Sequence, residues 1–246
     1  STAVNPQANA TQARTMEHFR RLGLSARIRA LGLPEDFPTD IAYYTRFAGH
    51  ELARLRLPTA RQARERVQTM GGSWSAAELP HRVSQKFDEA VLRETAEALP
   101  GVSLAFATRM TAFAEHLDHV ALELDSPDGP RRLTARYLAA GDGSRSMVRQ
   151  ALGFRLEGEG GVSRNFFGGR MLALYLDAPE FYHTVPHDPA WMNVTFNPQR
   201  RALMAAVNGR GEFAFHTQLK PGEDEGAISG AQAIALGADV SNREQV

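Results

Sequence analysis

Apolar residues recur at helical spacing in the first third of the chain and alternate with polar ones through most of the rest. Thr11 or Gln12 opens an amphipathic helix carrying Met16, Phe19 and Arg20, with Gly23 as its stop. A second short helix, Ser25 to Leu31, ends before Gly32 and Pro34. Ile41–Tyr44 and Glu51–Leu55, separated by Ala48-Gly49-His50, read as a hairpin. The charged and then Gly/Ser-rich run 59–80 reads as a linker or loop. Ser84 suits an N-cap for a helix Gln85–Leu99 that buries Phe87, Val91, Leu92 and Ala98. A β-meander is expected next, at Val102–Ala107, Met110–Ala114, Val120–Leu124 and Leu133–Leu138, with a turn at Ser126-Pro127-Asp128-Gly129. After Arg149 the pattern predicts long antiparallel strands, Asn165–Asp177, Trp191–Phe196, Arg201–Asn208 and Glu212–Gln218, forming a separate sheet. The tail from Pro221 is polar, then Ala-rich and helical in character. No internal repeat is present.

This is an α/β (α+β) pattern, and composition narrows what it can do. The 246 residues suffice for one large core or two smaller ones. Lys+Arg and Asp+Glu are 28 each, so no global field draws in nucleic acid or an anionic membrane. With no cysteine there is no disulfide framework, thiolate metal site or cysteine nucleophile. No apolar run reaches the roughly 18 residues of a membrane span, which makes a cytoplasmic setting the default expectation. Of the eight histidines, His116/His119 and His183/His187 have a spacing that would serve a metal only on a helix. Gly209-Arg210-Gly211-Glu212-Phe213-Ala214 has the form of a phosphate loop. The alternating Phe213, Phe215 and Thr217 that follow make it a hairpin turn.

The stretch Arg136 to Arg149 carries the most chemistry. A strand runs into Gly141-Asp142-Gly143, and a helix begins from Ser144. Glycines flanking an aspartate at a strand end let backbone approach a ligand, and the carboxylate accepts hydrogen bonds from sugar-like hydroxyls. A plain turn or N-cap aspartate is the alternative reading of Asp142. Tyr-Leu-x-x-x-Asp-Gly-x-x-Ser-x-Val-Arg, as it stands at Tyr137–Arg149, resembles the internal motif of the single-component FAD-dependent aromatic hydroxylases, the p-hydroxybenzoate and phenol hydroxylase superfamily. Gln7–Glu17, containing Arg14-Thr15-Met16-Glu17, and Ser84-Gln85 with Leu92 resemble two further segments of that family in order and spacing.

The resemblance implies a partial FAD-binding domain with a β-meander and an antiparallel substrate-binding sheet. Its parts would be 1–39 and 81–163 for FAD, 40–80 and 164–222 for substrate, and a tail at 223–246. The family's Gly-rich nucleotide loop and its C-terminal Gly-Asp motif have no counterpart here, so the chain reads as an internal fragment, or as one that lost both ends. The implied activity is hydroxylation of a phenolic ring with FAD as cofactor and NAD(P)H as co-substrate. The rival is a non-catalytic module that binds an aromatic or a partner without FAD. A small aromatic substrate is the implied partner, with no nucleic acid and no membrane, and a homodimer is compatible with the pattern.

Cofactor contacts carried over residue by residue are Asp142, Gly143, Arg145, Gln85 and Gln7. Gln7 stands where other members keep an arginine, which weakens one phosphate or flavin contact. Asn9 stands where phenol-type members often carry an aspartate near the substrate, and an amide cannot act as a general base there. The two residues with which p-hydroxybenzoate hydroxylase holds a carboxylate fall near Ala206 and Asn208. Neither neutralises an anion, so a neutral phenol, resorcinol or fused-ring polyketide is expected. Trp191, Asn193, Phe215 and His216, with Asn9, are the expected substrate contacts, although core aromatics are the alternative reading of the rings.

Overall fold

The computed structural model describes residues 8–69, 76–158 and 169–228. In chain order the elements are α1 (Ala13–Arg21), α2 (Ser25–Arg29), β1 (Ile41–Tyr44), β2 (Glu51–Leu55), α3 (Ala60–Thr69) and α4 (Gln85–Ala98). Then follow β3 (Arg109–Glu115), β4 (Val120–Ser126), β5 (Gly129–Ala135), α5 (Met147–Ala151), β6 (Met171–Asp177), α6 (Phe181–Thr184), β7 (Met192–Phe196), β8 (Arg201–Ala206) and β9 (Glu212–Gln218). They form two compact units. One is Glu97–Arg164; the other joins Thr2–Ala96 to Asn165–Val246. Among the described residues no helix is long and apolar enough to cross a membrane.

In the larger unit the helical layer follows from spacing. Met16 and Phe19 lie three apart on α1 and pack with Leu24, Ile28, Val83 and Val91. His18, Arg20 and Arg21 complement the negative end of the α1 dipole. Gly23, at φ 74°, turns the chain into α2 without the penalty a side chain would meet. On α4 the buried face is narrower than expected: Val91 is buried and Phe87 packs against it, but Leu92 and Ala98 are exposed. The run 60–69, expected as a linker, is the helix α3. Its start is a capping box, in which Thr59 Oγ1 accepts from Gln62 N at 3.3 Å and Gln62 Oε1 accepts from Thr59 N at 3.1 Å. The Gly/Ser-rich 71–75 and the tail beyond 228 lie outside the described residues.

The sheet of this unit has six strands in the order β2-β1-β7-β8-β9-β6. Every pair is antiparallel except β1–β7, which is parallel with Ala42 opposite Asn193 and Tyr44 opposite Thr195. The expected hairpin β1–β2 therefore extends the sheet of the later strands, through a pairing the alternation does not encode. Residues paired in register share a face. One face presents Ala42, Tyr44, Asn193, Thr195, Ala202, Met204, Ala206, Phe213, Phe215 and Thr217, all buried. Leu33, Phe37, Phe47 and the rings of α6 cover it. Phe181 meets Phe213 at 5.2 Å and Phe47 at 5.5 Å, both edge-on, the favourable geometry for aromatic quadrupoles. The Gly209–Gly211 run is the β8–β9 turn, as the alternation after it indicates.

The smaller unit holds the antiparallel sheet β3-β4-β5. Two expected boundaries shift. Val102–Ala107 is not a strand; it ends in a turn at Phe106-Ala107, where Ala107 adopts φ 53°. The third strand runs from Gly129 to Ala135 rather than from Leu133 to Leu138. The tight Pro127-Asp128 turn puts Gly129 opposite Ser126, so pairing with β4 is used up at Ala135. Tyr137 beyond it is 86% exposed.

Candidate functional site

Asp142, Gly143 and Arg145 lie in the smaller unit, on an open turn before α5. Asp142 Oδ2 accepts from Met147 N at 2.8 Å and Val148 N at 3.4 Å, and Ser146 Oγ accepts from Arg149 N at 3.0 Å. Hydrogen bonding, from Ser146 first and then from backbone N–H groups, holds the Asp142 carboxyl below the usual range. Asp142 therefore does cap the helix, and it remains exposed. Gly143 has φ 77° and nothing within 4 Å of where a Cβ would sit, so its backbone is open to an approaching group. Arg145 is exposed, with no ion-pair partner among the described residues.

The remaining described candidates belong to the larger unit, where the structure sorts them into three places. The segment 8–11 is laid along 81–88. Gln85 N donates to Ala8 O at 2.9 Å, Thr11 and His81 exchange backbone bonds of 2.8 and 2.9 Å, and Thr11 Oγ1 donates to Asp88 Oδ2 at 3.1 Å. Asn9 and Gln85 are thereby brought together. Asn9 is half-buried, with no side-chain partner among the described residues. Gln85 donates its amide to Glu89 at 2.5 Å. Burial pushes the Asp88 carboxyl up, and its Oδ1 has no partner among the described residues. Gln7 lies outside the described residues.

Asn193 and Phe215 are core residues, not pocket walls. Asn193 is 2% exposed, and its amide donates to Ala190 O at 3.2 Å, Tyr182 Oη at 3.3 Å and Met204 O at 3.4 Å. Phe215 packs in the same cluster. Ala206 also faces the core, and Asn208 staples the β8–β9 turn by accepting from Arg210 N and Glu212 N. Trp191 is a third case. It is buried at the start of β7 with the Arg82 guanidinium 3.6 Å above its ring and an indole N–H without an acceptor among the described residues.

His216 lies on the opposite face of the sheet. Its register partners are Leu203 on β8 and Ala173 on β6. The same face carries Ala205, Ala214, Met192, Val194, Tyr43 and Tyr175. Three alanines make a flat floor, and Tyr43 stacks on Phe196 at 6.3 Å along one side. At the other side Tyr175 Oη meets Ser84 Oγ at 3.3 Å, and Lys86 pairs with Glu212. Ser84 thus turns its hydroxyl to the sheet rather than capping α4, and it ties the Asn9–Gln85 region to the face that holds His216. Sequence reasoning missed Tyr175 and the alanine floor. The signal was the alternation itself, once β6 and β9 are set in register.

Residues 1–232 match the family described as FAD binding domain. A curated FAD-dependent monooxygenase, opdD of Penicillium oxalicum, is 32% identical over 71% of this chain and 34% of its own length. The chain belongs to the FAD-dependent aromatic hydroxylase family. The 2,4-dichlorophenol 6-monooxygenase of Cupriavidus pinatubonensis is 32% identical over 66% of the chain and 27% of that protein. Aklavinone 12-hydroxylase DnrF of Streptomyces peucetius is 33% identical over 68% and 34%. The chain spans about a third of the length of these curated relatives. The rebeccamycin biosynthetic enzyme RebC, with reduced flavin, superposes with a TM-score of 0.75 at 25% identity, over 100% of this chain and 43% of RebC. The monooxygenase PieE, in complex with FAD and substrate, shares the fold with a TM-score of 0.79.

FAD is the cofactor of this family, and the described residues fit it. In the smaller unit, the open backbone at Gly143 and the exposed carboxylate of Asp142 are groups of the kind a hydroxyl-rich cofactor chain needs.

Proposed function

We propose that this chain belongs to an NAD(P)H-using monooxygenase that hydroxylates a neutral phenolic ring lying on the Ala173–Ala205–Ala214 face of the six-stranded sheet. The carrying observation is the make-up of that face. A flat apolar floor is bordered by Tyr175, His216 and Met192, and no cation stands at Leu203, Ala205 or Ala214. Lys86, at the border, is already paired with Glu212. A ring can lie against the exposed Ala173 and the half-buried Met192 and His216, whereas a carboxylate beside Ala173 would lose its hydration far from Arg201, which sits at the Phe196 end of β8. The relatives named for 2,4-dichlorophenol and for aklavinone support a phenolic substrate class.

The bound flavin supplies the reduction and oxygen-transfer chemistry. The chain's own work is to hold the ring flat, keep water from it and hold polar groups at its hydroxyl. The exposed Ala173 and the half-buried Met192 contribute apolar surface over the buried Val194 and Leu203, Tyr175 is fixed by Ser84, and Asn9 offers a donor and an acceptor. Asp142, Gly143, Arg145 and Gln85 are the proposed cofactor contacts.

A substrate panel on the intact enzyme tests this reading. Phenols and resorcinols are expected to stimulate NAD(P)H oxidation with hydroxylated product, and hydroxybenzoates at least tenfold less, the equivalent of about 1.4 kcal/mol. A clear preference for a benzoate would place the pocket elsewhere.

A further inference from the structure

We propose that His216 takes the hydroxyl proton of the phenolic substrate. This rests on the reading of the sheet face as the ring site and assigns a role the family resemblance does not supply. Where phenol-type members often carry an aspartate this chain has Asn9, and an amide has no basic lone pair to accept a proton at neutral pH. Oxygen transfer to an aromatic carbon needs an electron-rich ring, and a phenolate is far richer than a phenol. Some group must therefore remove the proton.

The face leaves little choice. Its titratable and charged groups, taken from every strand packed around His216, are Tyr43 on β1, Asp177 and Tyr175 on β6, Arg201 on β8 and Glu212 on β9, with Lys86 reaching in from α4. Glu212 is tied to Lys86 and lies two pairs along β9, next to Asp177. Tyr175 is held by Ser84, Tyr43 is stacked on Phe196, and Arg201 is an edge cation opposite Phe196. His216 is half-buried beside the alanine floor, and its ring nitrogens have no hydrogen-bond partner among the described residues. Its cross-strand neighbours, Leu203 and Ala173, are apolar. Burial lowers its proton affinity, which favours the neutral ring with a free lone pair before a substrate is bound.

The step balances simply. The phenol O–H bond breaks, its electron pair stays on oxygen, and the proton forms an N–H bond on the imidazole. Nothing is oxidised or reduced. The resulting imidazolium lies beside the new phenolate and stabilises it. The proton returns to oxygen or to solvent when product leaves.

The test uses 4-nitrophenol, which ionises near neutrality and whose phenolate absorbs visible light. It is titrated with pH on the flavin-loaded protein, read as difference spectra, for wild type, His216→Gln and Tyr175→Phe. In wild type and Tyr175→Phe the bound probe should ionise at roughly tenfold higher proton activity than free probe. His216→Gln keeps a hydrogen-bonding side chain that cannot be protonated. It should bind the probe within a few-fold of wild type while leaving its ionisation as in free solution. In turnover, this variant should lose rate with phenol at neutral pH, keep KM, and recover as pH rises toward the phenol's own ionisation. An unshifted probe in wild type, or an equal shift in wild type and His216→Gln, overturns the assignment while leaving the ring site standing. Failure of wild type to bind the probe overturns the assignment together with the reading of the face.

Discussion

Arg54 is a heavily committed side chain of the larger unit, and removing it tests how the parallel β1–β7 contact is held. Its side chain is 6% exposed and makes six hydrogen bonds. They reach Glu51 Oε1 and Oε2 at 3.1 and 2.9 Å, Asp40 Oδ2 and Pro189 O at 3.2 Å each, Tyr44 Oη at 3.2 Å and Asp188 O at 3.0 Å. Asp40 is 10% exposed, and its backbone carbonyl accepts from Met192 N, so Arg54 clamps the chain entering β7 onto the start of β1. Arg54→Met keeps most of the stem and deletes the charge. Asp40 then retains only its bond from Leu57 N, and two carbonyls and a phenol lose their donor. Breaking a buried ion pair on one side costs about 3–5 kcal/mol. The lower end applies, because Asp40 is near enough to the surface for water to reach it. Glu51 is 30% exposed and contributes little. The expected loss, about 3 kcal/mol, is a large part of the 5–15 kcal/mol of a typical domain. Arg54→Lys should lose about half as much, since an ammonium cannot span acceptors on several sides. Urea unfolding, followed by Trp191 fluorescence in a Trp74→Phe background, reads the unit that contains the clamp. A double-mutant cycle with Asp40→Asn should give a coupling of about 1–3 kcal/mol. An Arg54→Met protein within 1 kcal/mol of its parent would refute the clamp.

Two further predictions concern the cofactor turn and acid stability. Asp142→Ala should lower flavin content in the intact enzyme and loosen the start of α5 through the lost cap at Met147 N, while Asp142→Asn restores the cap; full flavin content in the alanine variant would make Asp142 a cap alone. Burial lowers the proton affinity of His81 and His216, so the unfolded chain binds protons more readily below the ordinary value of 6.5. Stability should therefore be unaffected by them above that pH and should fall as pH drops beneath it. Glu223, held at about 2 by Arg200, contributes fully above 4.5 and loses that contribution as pH falls from 4.5 to about 2. Denaturant midpoints measured across this range check both windows, and a flat profile between about pH 7 and pH 5 contradicts the first.

Local pattern determined much of this protein. The helix carrying Met16 and Phe19, the hairpin Ile41–Leu55, the three late antiparallel strands and the Gly209–Gly211 turn all follow from periodicity and turn residues within a few positions. The family was legible in Tyr137–Arg149 because that run matches the family's motif residue by residue at fixed spacing. The helix Ala60–Thr69 was read as a linker because of the charge of the segment, although Thr59 and Gln62 carry the capping signal that starts it.

Which face an alternating strand turns inward is another matter, because alternation fixes two faces without naming either. Asn193, Phe215 and His216 have equal claims in sequence. Only the pairing of β7, β8 and β9, together with α6 packing on one side, sends Asn193 and Phe215 to the core and leaves His216 on the other face. The same holds for β1 beside β7, about 150 residues apart in the chain. Such a contact is set by burial of Ala42 and Tyr44 and by the Arg54 clamp. No local preference encodes it, since its entropy cost is met only when the whole sheet assembles.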